Sequence, residues 1–241
     1  MSTRTTRLLS RQTVAEGTQM FRFDKPQGFA FKPGQALDLI LPGDGDDQHS
    51  HRRHTFSIVT APHEDSLAIA TRMRPDSRFK NALAALPDAA SLQIEGPFGS
   101  LILHKKSSRA AVLIAGGIGI TPFMSMLRHA AHTQGEQELV LLYSNRRPED
   151  TAFLAELQTL EKQHRKFRLL ATMTDMGQSG QAWSGATGLI DAAFIQRVAK
   201  GLPDPVYYVS GPPLLVEAMR DTLEDAGVDE DDIRSEEFFG Y

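Results

Sequence analysis

The chain has 241 residues, 41 % hydrophobic and 23 % charged, a composition typical of soluble globular proteins. That length suits two domains of about 100 to 150 residues or one large one. The formal net charge of −4 offers no basic field for nucleic acid. No apolar run approaches the ~18 residues of a membrane span, and the first residues lack the apolar core of a signal peptide, so a cytoplasmic protein is expected. The absence of cysteine excludes disulfides, thiolate zinc sites, a thiol nucleophile and cysteine-ligated iron–sulfur clusters. Electron transfer would therefore need an organic cofactor.

Up to His104 the pattern is of short strands, at residues 37–41, 55–60, 67–73, 92–95 and 101–104. Turn clusters separate them: Pro42-Gly43-Asp44-Gly45, Ala61-Pro62-His63 and Gly96-Pro97-Phe98-Gly99. This spacing predicts a small antiparallel β-barrel. One helix interrupts it over residues 78–86, capped by Asp76 or Ser77, with Phe79, Leu83 and Leu86 on one face. Its N-terminus is either a seat for phosphate or simply the start of a plug in the barrel's end.

From Lys105 onward strands alternate with helices. Strands are expected at 112–115, 139–143, 168–173 and 206–209, and helices at 122–132, 151–164, 191–198 and 214–226. Such alternation implies an α/β domain with a parallel sheet covered on both faces. The polar stretch 105–108 marks the hinge, giving a two-domain chain divided into 1–105 and 106–241. The acidic run 229–232 reads as a solvated turn before a last strand.

The second half is organised around residues 111–128, AVLIAGGIGITPFMSMLR. A branched apolar run is broken by Gly116, Gly117 and Gly119, and Pro122 then opens a helix with Phe123, Met126 and Leu127 on one face. Glycines in such a turn either bring backbone N–H groups up to a pyrophosphate at the helix N-terminus or serve tight packing. The third glycine of the dinucleotide fingerprint is missing.

HTFS at 54–57, EGPFGSL at 95–101, AGGIGITP at 115–122, SGPP at 210–213 and EEFFGY at 236–241 occur in this order. Together they resemble the ferredoxin-NADP reductase superfamily over nearly the whole chain. The resemblance implies a barrel that holds FAD, less often FMN, and a second domain that binds NAD(P)H. It also implies hydride transfer from nicotinamide to flavin, and an external redox acceptor: ferredoxin, flavodoxin, an oxygenase component, a ferric complex or a small oxidant. Thr55, Phe56 and Ser57 match the flavin-binding motif, with Phe56 flanking the flavin and Ser57 near N5. A hydroxyl suits that place because it can donate or accept a hydrogen bond. His54 stands where the family has its phosphate-binding Arg, and Arg53 is the alternative ligand. Arg72, Met73 and Arg74 match the next flavin strand. Strand alternation puts both arginines on one face, opposite Met73, and either can replace the missing Arg. Ser77 resembles a pyrophosphate ligand.

By the same resemblance, Gly116, Gly117, Gly119 and Thr121 contact NAD(P)H. Ser210-Gly211-Pro212 matches the family's Cys-Gly-Pro beside the nicotinamide. Glu236 and Phe238 match its Glu-x-aromatic, with Phe239 or Tyr241 as alternative flavin covers. Ser57, Ser210 and Glu236 are thus the residues expected to orient the reacting rings. For the coenzyme, Arg146 and Arg147 follow the second strand of this half, where arginine can accept a 2′-phosphate. The positions the family uses for that purpose hold Thr174 and Asp175, which favours NADH over NADPH. His49, His51 and His54 share a loop without a metal-ligand spacing, so no metal is expected. Ser57 and Ser100 lack a nucleophile elbow, which argues against a serine hydrolase. The competing readings are a flavin-binding regulatory or interaction module with weak or no reductase activity, and a dinucleotide-binding protein without flavin.

Overall fold

In a computed structural model of the chain the described residues are 3–43 and 52–238. His49, His51, Phe239, Tyr241 and the Asp44-Gly45 half of one expected turn lie outside them.

The chain starts with a hairpin of β1 (Arg4–Ala15) and β2 (Thr18–Asp24), turning at Glu16-Gly17 with Gly17 at φ +66°. Thr6 and Leu8 of β1 face inward between exposed neighbours, and Phe21 and Phe23 of β2 are buried. No strand was assigned there from sequence, because the arginines and threonines of the outer face dilute the apolar alternation. β3 (Ala36–Ile40), β4 (Arg53–Ser57), β5 (Ser66–Arg72) and β6 (Ser91–Phe98) complete an antiparallel sheet of order β4-β3-β6-β1-β2-β5. Just past β4 the Val59 N–H donates to the Ala68 carbonyl (2.8 Å) and the Ala68 N–H to Thr60 Oγ1 (3.2 Å). These bonds draw the sheet's two edges together into the expected barrel. Helix α1 (Arg78–Ala85) plugs it with Phe79 and Leu83, which join Leu37, Leu39, Ile69 and Ile94 in the core.

The strand expected at 101–104 is not one. Leu101 is buried, and side chains meet part of the backbone of this stretch. The His104 N–H donates to Tyr208 Oη (2.8 Å), and the Ile102 carbonyl accepts from Arg234 Nη1 (3.2 Å).

The C-terminal half supplies β7 (Ala111–Gly116), a 3-10 turn (Gly117–Ile120), α2 (Thr121–Thr133), β8 (Leu139–Asn145), α3 (Leu154–Gln163) and β9 (Phe167–Met173). There follow β10 (Ala186–Thr187), α4 (Ala192–Ala199), β11 (Val206–Gly211), α5 (Pro213–Asp225) and β12 (Ile233–Glu237). The strands form a parallel sheet of order β10-β9-β8-β7-β11-β12. All of β7 is buried, as a central parallel strand with both faces covered should be. Helix α3 begins three residues later than expected, because Phe153 sits at φ 62° and cannot continue a helix toward Thr151. The acidic run forms a 3-10 turn before β12, and Asp232 pairs with Arg109 (2.7 Å).

Helix α2 joins the halves. Every residue from Thr121 to Leu127 is buried, and Phe123, Met124 and Leu127 share a core with Met20, Val59, Ala68 and Ala70 of the barrel. Ser125 Oγ donates to the Thr60 carbonyl (2.7 Å), while Arg128 pairs with Glu156 (2.6 Å) and reaches Glu64 (3.5 Å). Nearby the His63 ring stacks on His132 with centroids 3.7 Å apart. Among the described residues no helix is long and apolar enough to cross a membrane.

Phe123 has no exposed surface and belongs to a core drawn from both halves. Phe123→Ala is expected to cost about 3–5 kcal/mol, read as a lower urea midpoint by fluorescence and circular dichroism.

Candidate functional site

From β7 the chain runs to β8, β9 and β10 on one side of the sheet, then crosses to β11 and β12 on the other. The connections leaving β7 and β11 therefore diverge at the carboxyl end of the sheet, opening the crevice in which α/β sheets bind ligands. A cleft of about 600 Å³ lies between this edge and the barrel. The barrel lines it with Ala36, Arg53, His54, Thr55, Phe56, Ser57, Ala70, Thr71, Arg74, Asp76, Ser77 and Lys80. The second half contributes Thr121, Glu236, Glu237 and Phe238.

The glycine turn does more than one job. A Cβ on Gly119 would overlap the Ser210 carbonyl, and one on Gly116 would overlap Leu215, so these two serve close packing. Gly117 differs: it sits at φ +53° and faces open space. Thr121 opens α2 with its hydroxyl donating to the Ile118 carbonyl (3.1 Å). Gly211 ends β11 and its carbonyl accepts the Phe238 N–H (2.9 Å), while Pro212 precedes the first residue of α5.

Ser210 and Glu236 are register partners on β11 and β12, which puts their side chains next to each other on one face of the sheet. Ser57 ends β4 on the barrel side of the cleft. Ser57 Oγ, Ser210 Oγ and Glu236 Oε2 are all buried without a hydrogen-bond partner. Leaving such atoms unpaired costs about 1–3 kcal/mol each, so a ligand that hydrogen-bonds them would recover stability. Burial also pushes the Glu236 carboxyl above its ordinary range. Its neutral form can donate a hydrogen bond as well as accept one.

On the barrel side, Arg53 Nη2 lies 2.8 Å from Glu95 and its Nη1 3.3 Å from Asp38, which also accepts from the Thr55 hydroxyl (2.5 Å). Hydrogen bonds from Thr3 and Arg53 hold the Glu95 carboxyl below its usual range. The His54 ring packs on Phe79 with centroids 4.4 Å apart, and Phe56 lies 5.8 Å from the same ring. Ser77 caps α1, its Oγ accepting the Lys80 N–H (3.3 Å).

The same-face expectation for Arg72 and Arg74 fails because β5 ends at Arg72. Arg74 lines the cleft and grips Asp76 through two contacts, of 3.1 and 3.0 Å. Arg72 is outside the lining and extends toward Asp150 (3.9 Å), and Met73 packs on the barrel core. Gly116, Gly117, Gly119, Ser210, Gly211 and Pro212 stand behind or beside the cleft, outside its lining. Lys80 was missed. A charge in the first turn of a helix whose neighbours Phe79 and Leu83 face the core was the available signal.

At the far ends of β8 and β9, Arg146 pairs with Asp175 (2.8 Å), and Arg147 is held by Asp150 (2.9 Å) and Glu16 (3.0 Å). Among the described residues no cluster of three or more His, Asp or Glu side chains could hold a metal.

The family model for the oxidoreductase NAD-binding domain matches residues 113–221. The chain is 28 % identical over 223 residues to the glycine betaine monooxygenase reductase subunit of Chromohalobacter salexigens, covering 92 % of this chain and 60 % of that protein. It is 28 % identical over 237 residues to terephthalate 1,2-dioxygenase reductase component 2 of a Comamonas species, covering 97 % and 68 %. The chain thus spans about 60 % of the first relative's length. Among solved structures, a ferredoxin NADP+ reductase from Neisseria gonorrhoeae, with FAD and NADP bound, superposes with a TM-score of 0.78 at 20 % identity, covering 98 % of this chain and 99 % of that one. A cytochrome P450 reductase from Amycolatopsis gives 0.82 at 23 %, covering 98 % and 70 %. These two likenesses concern the fold. A barrel preceding a matched nucleotide-binding half in this order is the two-domain fold of these reductases.

Proposed function

We propose that the chain is an NAD(P)H-dependent flavoprotein reductase, with FAD held by residues 1–105 and the nicotinamide coenzyme by residues 106–241. The observation that carries this reading is that two buried, unpaired polar atoms, on Ser57 and Glu236, line one cleft between barrel and sheet, with a third, on Ser210, beside Glu236 on the neighbouring strand. The residues present fit the cofactor, since these atoms offer hydrogen bonds to polar ring edges and Phe56 and Phe238 offer apolar cover. When bound, the flavin supplies two-electron acceptance from the nicotinamide and stepwise release to an acceptor. The chain's own residues supply position and exclusion of water. Ser57 hydrogen-bonds the flavin edge as donor or acceptor, Ser210 and Glu236 orient the nicotinamide, and Gly117 and Thr121 admit the coenzyme at the start of α2. Ser77, Arg53, His54 and Arg74, which line the cleft, would hold the flavin phosphates.

The acceptor is an external redox partner. Names of relatives, reductase components of a monooxygenase and a dioxygenase, support an oxygenase component in that role. NADH is the preferred coenzyme, because Asp175 neutralises Arg146 and Arg147 is committed to Asp150 and Glu16, which leaves a 2′-phosphate facing a carboxylate. The reading as a non-catalytic flavin module draws on one observation, the commitment of Arg53 to two carboxylates.

Three outcomes test this. With FAD bound and a dye as acceptor, Ser57→Ala is expected to lower kcat by about 10- to 100-fold while flavin stays bound; an unchanged kcat would remove Ser57 from the reaction, and absence of wild-type turnover would favour the non-catalytic module. Asp175→Ser frees Arg146 and should raise kcat/KM for NADPH by about fivefold or more, narrowing the preference for NADH. Glu236 gives a pH signature. Its raised folded pKa means that wild-type stability falls as pH rises above the unfolded carboxyl value, so Glu236→Gln should exceed wild type in melting temperature at pH ~7, with the gap closing toward pH ~4. A gap that widens on acidification would contradict the burial argument.

A further inference from the structure

A second cavity, of about 330 Å³, lies away from the cleft and shares no lining residue with it. The cleft is at the carboxyl end of the parallel sheet; this cavity is at the other end, where Gln137 leads into Leu139, the first residue of β8. Its walls come from three parts of the chain that meet where the halves join: the barrel loop at Lys32, the hinge at Ile102, Leu103 and Lys105, and α2 at Met126 and Ala130. Gly34 lets the barrel loop close on the other two, since a Cβ there would overlap the Leu101 carbonyl and the Met126 side chain.

The wall is mainly apolar, and the Met126 thioether and the His129 ring favour an aromatic ligand over an alkyl chain. At about twice the ~150 Å³ that encloses benzene, the space suits two fused rings. The lining also carries charge. Lys32 and Lys105 are exposed, and among the described residues neither ammonium is in an ion pair. Glu136 is the one carboxylate beside them, so the surroundings are net positive. His129 lines the same cavity, and its Nδ1 is buried without a hydrogen-bond partner. Burial and the neighbouring His63 and His132 hold this imidazole below its ordinary range. In its neutral form Nδ1 donates or accepts according to the tautomer. Apolar walls, free cations and an unused polar atom are the complement of a small amphipathic anion.

We propose that this cavity binds a small aromatic carboxylate, its rings against Met126 and Ala130 and its carboxylate toward Lys32 and Lys105. The inference goes beyond the flavin reading and uses no residue of the cleft. A ligand here touches the barrel, the hinge and α2 at once. It therefore fastens the two halves together from the end of the sheet opposite the cleft, which is the place of an effector and not of a substrate.

The probe is 2-naphthoate, titrated calorimetrically into the full chain in the presence of FAD, beside 2-naphthalenemethanol, which has the same rings and no charge. One equivalent of naphthoate should bind and raise the melting temperature. Ala130→Phe fills the cavity and is expected to weaken naphthoate by about tenfold or more. Lys32→Gln combined with Lys105→Gln changes only exposed positions. It should weaken naphthoate by about fivefold and leave the alcohol within about twofold of wild type. Absence of naphthoate binding to the wild type overturns the proposal. Wild-type affinity in Ala130→Phe also overturns it, because the ligand would then sit elsewhere. An unchanged affinity for the acid in the lysine variant, or an equal loss for acid and alcohol, overturns the assignment of an anion. Should Ala130→Phe not fold, as judged by circular dichroism, Ala130→Leu takes its place and the lysine variant carries the same comparison.

Discussion

The structure depends on the burial of α2 between the parallel sheet and the barrel. Its first two turns have no solvent-facing side, because Phe123, Met124 and Leu127 complete a core begun by Met20, Val59, Ala68 and Ala70. The Ser125 hydroxyl, donating to the Thr60 carbonyl, fixes the register of that contact. An apolar interface with a buried hydrogen bond and the ion pairs of Arg128 at its rim resists sliding more than a wet domain boundary would. The carboxyl edge of β11 and β12 is thereby held against β4, β5 and α1. The cleft follows from this arrangement.

Within that frame each element contributes one group. Gly119 lets the turn after β7 lie directly on the Ser210 carbonyl, and the pairing of β11 with β12 sets Ser210 beside Glu236. β4 presents Ser57 from the opposite wall. The buried, unpaired polar atoms of Ser57, Ser210 and Glu236 cost stability, and such local cost is what preorganised sites carry.

Much of this was legible in the sequence, for identifiable reasons. The branched run of β7 followed by glycines and Pro122 specifies strand, turn and helix locally, and the structure places them within a residue or two. Ser57, Ser210 and Glu236 stand out in the sequence through short motifs, and the fold puts Ser57 and Glu236 on the cleft with Ser210 beside Glu236. What escaped was non-local. Arg53 is engaged by Asp38 and Glu95, whose nearness depends on the pairing of β3 with β4 and β6. The stretch 101–104 alternates like a strand, but its backbone bonds to the Tyr208 and Arg234 side chains, which lie far away in sequence. The β1–β2 hairpin hid behind its charged outer face. Lys80 was passed over because the apolar pattern of Phe79 and Leu83 defines the helix without it.

If one cleft brings a flavin and a nicotinamide into contact, anaerobic mixing of FAD-loaded protein with NADH should bleach the flavin absorbance band rapidly, and faster than NADPH does. Flavin that binds but keeps its colour under excess NADH would contradict it.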